Sequence, residues 1–185
     1  MLYNTHYNIR GKHAFLSGSN WHWINYTEDK LKAVFINAKA KEEGTELHDL
    51  ASSLIKKRIK LAPLKKALNQ FVNDAIGFGM ESELVLYFSD NCFGTADALS
   101  FKDGILRIHD LKTGLSKVSF NQIHIYAAIF CLEYAVDPET ITIVERIYQH
   151  NGFEELLADP NDIRNIMNII MEFDECLENL KLEIV

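Results

Sequence analysis

The chain has 185 residues, 48% of them hydrophobic and 24% charged. That suits a single domain with a substantial core, and no flexible linker large enough to separate two domains is expected. The net charge of −7 argues against indiscriminate binding to polyanions, although such an average says little about one groove. No apolar run approaches the roughly 20 residues that span a bilayer, MLYNTHYNIRGKHAF lacks the apolar stretch of a secretory signal, and Cys92, Cys131 and Cys176 are too scattered for a disulfide framework or a zinc or iron-sulfur site. An intracellular, cytoplasmic protein without membrane contact is expected.

Residues 5–25 are aromatic and irregular, with Ser17 or Ser19 able to cap a short helix. Over residues 42–59, Leu47, Leu50, Ala51, Leu54 and Ile55 recur at helical spacing, and lysines gather at the C-terminal end, where the helix dipole favours cations. Lys56, Lys57, Arg58, Lys60, Lys65 and Lys66 follow one another without an acid between them. Such a run suits a solvated helix face and a phosphate-contacting patch equally well. Pro63 predicts the start of a second helix reaching about residue 76, closed by Gly77 and Gly79. Strands are expected over residues 83–89, 93–101 and 105–112, then an apolar helix over 119–134, a β-branched strand over 140–148 and a closing helix over 161–180. These elements describe an α/β fold: a three-strand meander, a helical crossover and a further strand in a mixed sheet flanked by helices.

The most informative stretch is FGTADALSFKDGILRIHDLKTGL, residues 93–115, where two strand-forming runs flank Asp103-Gly104. Asp-Gly favours a two-residue type I′ turn, and such a turn sets Asp97 directly across the ladder from Asp110. Opposed side chains stand roughly 5 Å apart between Cβ atoms, and like charges at that range destabilise a sheet. A divalent cation is the obvious compensation. Lys112 shares the face of Asp110 by the period of two, and Leu99, Phe101, Leu106 and Ile108 mark that face as the buried one, against Ser100, Arg107 and His109 on the other.

Four motifs in order bring a family into view: Gly44-Thr45-Glu46-Leu47-His48, Gly94-Thr95-Ala96-Asp97, Asp110-Leu111-Lys112-Thr113-Gly114 and Gln122-Ile123-His124-Ile125-Tyr126. With these the chain resembles the RecB-type branch of the PD-(D/E)xK nuclease superfamily over most of residues 15–150, in particular small phage-type exonucleases and the nuclease domains of recombination proteins. The resemblance implies a restriction-endonuclease-like core at about residues 40–150 within one nuclease domain over 1–185. It implies Mg²⁺ or Mn²⁺ held by His48, Asp97, Asp110 and the carbonyl of Leu111, with Asp97, Asp110 and Lys112 as the catalytic set. Lys112 then orients or deprotonates the attacking water.

By the same resemblance Gln122 and Tyr126, one helical turn apart, position substrate, while the basic run itself makes Lys57 and Arg58 candidates for phosphate contacts. Relatives often carry an acid on the strand before the hairpin, which Glu83 or, by alternation, Glu81 supplies. The three cysteines do not fit the iron-sulfur members, so no cluster is expected, and no Gly-x-x-x-x-Gly-Lys marks a helicase. The implied activity is metal-dependent DNA hydrolysis, from ends, in recombination, repair or phage DNA processing in the host cytoplasm, beside a recombination or replication protein. The alternatives are a structure-specific endonuclease and a non-catalytic nucleic-acid-binding protein that retains the fold.

Overall fold

The computed structural model describes residues 14–114 and 118–184. Its helices are α1 (Glu28–Lys56), α2 (Ala67–Gly77), α3 (Asn121–Glu133) and α4 (Pro160–Ile184), and its strands are β1 (Glu81–Ser89), β2 (Cys92–Lys102), β3 (Ile105–Lys112), β4 (Thr142–Gln149) and β5 (Gly152–Leu157). The chain divides into two compact units, Met1–Glu43 and Gly44–Val185, the division falling within α1. In the first, a 3₁₀ helix over Gly18–Asn25 follows Ser17, which occupies the N-cap position without a side-chain capping bond. The Trp23 indole donates to the Ser17 carbonyl at 2.9 Å, and Phe15 meets Phe35 edge to face. Residues 5–13 of the expected aromatic segment lie outside the described residues.

The second unit is an α/β fold with a five-strand mixed sheet in the order β1-β2-β3-β4-β5, flanked by helices. Asp103 (φ 53°) and Gly104 (φ 73°) are both left-handed, as a type I′ turn requires, and they join β2 to β3 in the register Lys102↔Ile105 through Ala98↔His109. Helix α3 carries the chain across to β4, which lies parallel to β3. Thereafter a two-residue loop, His150-Asn151, returns the chain as β5. This last strand was not expected. GFEELL lacks β-branched residues and alternation, and it survives as an edge strand through its ladder to β4.

Two helix starts differ from expectation. α1 begins at Glu28, well before residue 42. α2 begins at Ala67 and not at Pro63, because the Asn73 side chain accepts from Leu61 N–H and donates to Leu61 C=O, at 2.8 and 2.9 Å, and Asn69 donates to Ala62 C=O. Those bonds hold residues 61–66 out of the helix until the His150 carbonyl takes the Ala67 amide at 3.0 Å. Among the described residues no helix is long and apolar enough to cross a membrane.

Both faces of the sheet are covered, as the expected flanking helices imply. Leu86, Leu99, Leu106, Ile108, Ile143 and Ile147 pack with Ile123 and Ala127 of α3 and Ile163 of α4. Ala98, Leu111 and Tyr148 pack on the other side with Ala51 and Ile55 of α1 and Phe71, Val72 and Ala75 of α2. Central strand β3 is therefore buried almost continuously. His109, expected on an open face, is wholly buried, whereas Phe101 is 43% exposed.

The Tyr148 hydroxyl donates to Asp74 at 2.8 Å, so the His109 Nδ1–H must donate to that hydroxyl, 3.2 Å away, which leaves the buried Nε2 without a partner. Burial first, then Arg146 and Arg107, drive the His109 pKa down to about 3. Below its ordinary value near 6.5 the unfolded chain binds a proton that the folded chain refuses, so stability falls as pH drops through that window toward 3. Urea unfolding at pH 7 and pH 5 is expected to show about 2 kcal/mol more acid loss in the wild type than in His109→Gln. Parallel losses in both proteins would show that His109 ionises freely when folded.

Candidate metal centre

The hairpin register builds the site. In β1 and β2 the pairs Ser82↔Ala98 and Leu84↔Ala96 leave Glu83 opposite Asp97, and the step after Ala98↔His109 brings Asp97 to Asp110. Three acids thus form one row across three strands. Glu83 has a left-handed backbone (φ 53°) inside a strand, a conformation uncommon for a residue with a Cβ and concentrated at functional sites.

Asp97 and Asp110 do not share a bare repulsive contact, because each has its own partner. Regular β2–β3 pairing stops at Ala98↔His109, and the Leu111 amide donates instead to Asp97 Oδ2 at 2.8 Å, while Asp97 Oδ1 lies 3.3 Å from His48 Nδ1 on α1. Asp110, 3% exposed, accepts from Lys112 Nζ at 3.1 Å through Oδ1; its Oδ2 lies 3.0 Å from the same nitrogen without hydrogen-bond geometry. Burial, reinforced by the charge of Asp97 and opposed by Lys112, pushes the Asp110 carboxyl above the usual range. The hydrogen bond to Asp97 raises His48, outweighing its burial, and burial followed by Asp97 raises Glu83.

His48, Glu83 and Asp97 each offer a ligand atom, all within 4.8 Å of one another. Donors around one small divalent ion at roughly 2.1 Å stand about 3 to 4 Å apart, so this group fits an ion after small side-chain movements, and its two carboxylates and one imidazole suit Mg²⁺ or Mn²⁺. His48 and Asp97 of the expected set belong to this group, and Glu83 is the additional acid beside them; Asp110 is engaged by Lys112, and the Leu111 amide donates to Asp97. Glu81 is set apart from Glu83 by position, its carboxylate standing 4.0 Å from Arg58.

The other motif residues interlock around this centre. The Lys112 ammonium donates to Gln122 Oε1 at 2.7 Å, and Gln122 Nε2 donates to the Tyr126 hydroxyl at 3.1 Å, so Asp110, Lys112, Gln122 and Tyr126 form one chain of contacts. Two of the three motif glycines, Gly44 and Gly94 but not Gly114, receive a side chain from another motif. A Cβ on Gly44 would stand 2.7 Å from Thr113 Oγ1, and one on Gly94 would stand 2.8 Å from Tyr126 Cε1.

The basic run is split by the end of α1. Ile59 N–H bonds to Leu54 C=O and Arg58 N–H to Ile55 C=O, a Schellman ending in which Arg58 (φ 55°) takes the left-handed place usually given to glycine. A cavity of about 380 Å³ is bordered by Asp49, Ser52, Ser53, Lys56, Lys57 and Glu83. Lys56 and Lys57 therefore adjoin the centre, whereas Arg58 faces Glu81. Ser52 and Ser82, whose hydroxyls meet at 3.0 Å beneath this cavity, carried no signal in the sequence.

Protein-family models, curated proteins and solved structures were all compared with the chain, and none matches it.

The contact of Gly94 with Tyr126 is directly testable. Gly94→Ala must displace the ring or shift β2, and overpacking of that kind costs about 1–3 kcal/mol. The double variant Gly94→Ala/Tyr126→Ala is expected to lose clearly less stability than the two single losses added, as urea unfolding will show. Additive losses would mean that the two positions do not touch.

Proposed function

We propose that this chain is a metal-dependent nuclease of the RecB-type PD-(D/E)xK kind, with a restriction-endonuclease-like core, hydrolysing DNA phosphodiester bonds from strand ends. The observation that carries the reading is the convergence of four sequence-distant motifs on one set of contacts: His48 on Asp97, Asp97 on the Leu111 amide, Asp110 on Lys112, Lys112 on Gln122, and Gln122 on Tyr126. A domain that merely kept the fold has no physical need for a buried carboxylate beside a second one, or for a left-handed glutamate facing them.

A divalent ion bound at this group supplies Lewis-acid polarisation of a phosphodiester and a more acidic water. His48, Glu83 and Asp97 would hold it, and Asp110 stands next to them with its Oδ2 free of hydrogen bonds within the protein. Lys112 is held by Asp110 and Gln122 so that its ammonium stays in place to offset the negative charge that grows on the phosphoryl oxygens and to orient a water. Tyr126 and Gln122 keep that lysine in register. Lys56 and Lys57, bordering the cavity next to Glu83, supply cations for the neighbouring phosphates.

End-labelled linear DNA and closed circular DNA, each incubated with Mg²⁺ or Mn²⁺, test the activity. The expected result is metal-dependent digestion of the linear substrate alone, with Lys112→Ala and Asp110→Ala reduced about 10²- to 10⁴-fold while unfolding cooperatively. Cutting of the circle would make the enzyme an endonuclease. Near wild-type activity in Asp110→Ala would sink the nuclease reading.

Glu83 separates metal binding from folding. Glycine relieves the left-handed strain, which is worth about 1–2 kcal/mol before the added freedom of the unfolded chain is subtracted. Glu83→Gly should therefore melt no lower than wild type, yet bind Mn²⁺ more weakly in a calorimetric titration. Unchanged Mn²⁺ affinity would remove Glu83 from the ligand group.

A further inference from the structure

Beyond the acid row, one face of the β1–β2 hairpin is open. Glu83, Val85 and Tyr87 follow one another at alternate positions of β1, and the register sets Val85 against Thr95 and Tyr87 against Phe93. Val85 is 57% exposed, Tyr87 47% and Phe93 62%. The rings of Tyr87 and Phe93 lie stacked, with centroids 6.4 Å apart and planes 23° from parallel. Tyr87 is tied down, its hydroxyl donating to Asp90 at 2.8 Å. At about 3.3 Å per residue the platform begins roughly 13 Å along β1 from Glu83.

We propose that Tyr87 and Phe93 form a stacking platform for unpaired bases, so that the strand delivered to the candidate metal centre is single-stranded or frayed; this rests on the nuclease reading above. A base is planar and presents a π-face whatever its sequence, which is what a rigid, exposed aromatic pair can take up. The alternative of an added peptide strand is disfavoured, because the Tyr87 amide already donates to Glu133 at 2.9 Å.

Charge gives the platform its character. Asp90 stands at the hairpin tip, where Ser89 and Asn91 bond Asp174 and Asn91 also bonds Glu178, so the tip carries three carboxylates. A phosphate backbone is repelled there and drawn instead toward Lys56 and Lys57 at the other end of the row. The platform thus contributes base contact without phosphate contact. Its share of affinity depends on bases being present and hardly at all on salt.

Binding of the full-length chain to labelled oligothymidylate and to an abasic oligonucleotide of equal length, measured by fluorescence anisotropy in chelator across a salt series, tests this. Stacking is worth about 1–3 kcal/mol per base, so oligothymidylate is expected to bind roughly 5- to 150-fold more tightly than the abasic strand. Tyr87→Ala/Phe93→Ala should abolish that preference without changing abasic affinity or the salt slope, and Phe93→Trp should keep it. No preference in the wild type, or a preference that survives the double substitution, overturns the platform. So does a wild-type dimer that Phe93→Ala dissociates, which assigns the face to a second copy. Hydrolysis in Mn²⁺ is scored separately: base preference without hydrolysis removes the nuclease reading and keeps the platform, whereas hydrolysis without base preference removes the platform alone.

Discussion

The register of one hairpin decides the rest of the molecule's chemistry. Because Asp103 and Gly104 both accept left-handed backbone, β2 meets β3 with no residue to spare, and Asp97 arrives beside Asp110. A slip of one residue would send each of these side chains to the opposite face and bring a core side chain to the site. The β1–β2 register then adds Glu83 to the same row. The turn lies far along the strands from the acids, so the site is set by counting residues and not by local preference.

Three acids in a row are an unfavourable arrangement, and the fold contains it by withdrawing regular pairing at that point. Where the ladder stops, the Leu111 amide is released to Asp97, the Lys112 side chain folds back onto Asp110, and His48 approaches from α1. Each donor answers one carboxylate. The remaining excess shows in the raised carboxyls of Asp110 and Glu83 and in the left-handed backbone of Glu83. Such strain persists only where the surroundings over-determine it, and here two hydrophobic layers, one on each face of the sheet, supply that rigidity.

How much of this could be read in the sequence follows from what kind of information each feature uses. The Asp103-Gly104 turn, the meander and the α3 crossover rest on local turn chemistry and periodicity, and both were legible. β5 was not, because GFEELL has the composition of a helix and is a strand only through its ladder to β4; the Asn151-Gly152 pair was the available hint. The start of α2 was misplaced because Asn73 and Asn69 reach back across the connection, an interaction no local rule includes. At the site, Asp97, Asp110 and Lys112 were named from the hairpin register, and His48, Gln122 and Tyr126 from the family resemblance. The division of labour among them was not, since the choice of Glu83 over Glu81 goes with the left-handed backbone of one residue, and the turning of Lys112 onto Asp110 and Gln122 is a matter of side-chain placement.

The small residues of the motifs have a reason that spacing alone does not reveal. Gly44 is bare because Thr113 fills the place of its Cβ, and Gly94 because Tyr126 does, so the helix motif closes on the lysine strand and the hairpin motif on the following helix. Motifs that look like separate signatures along the chain are pieces of one packing unit, in which the glycines are sockets and the polar side chains are held by what fills them. Charge, too, is distributed unevenly about this unit. The basic residues are concentrated where α1 ends beside Glu83, and the carboxylates of Asp90, Asp174 and Glu178 crowd the far tip of the hairpin. Cations thus stand at one end of this strand pair and anions at the other, so that the charge of an acidic chain is sorted along it.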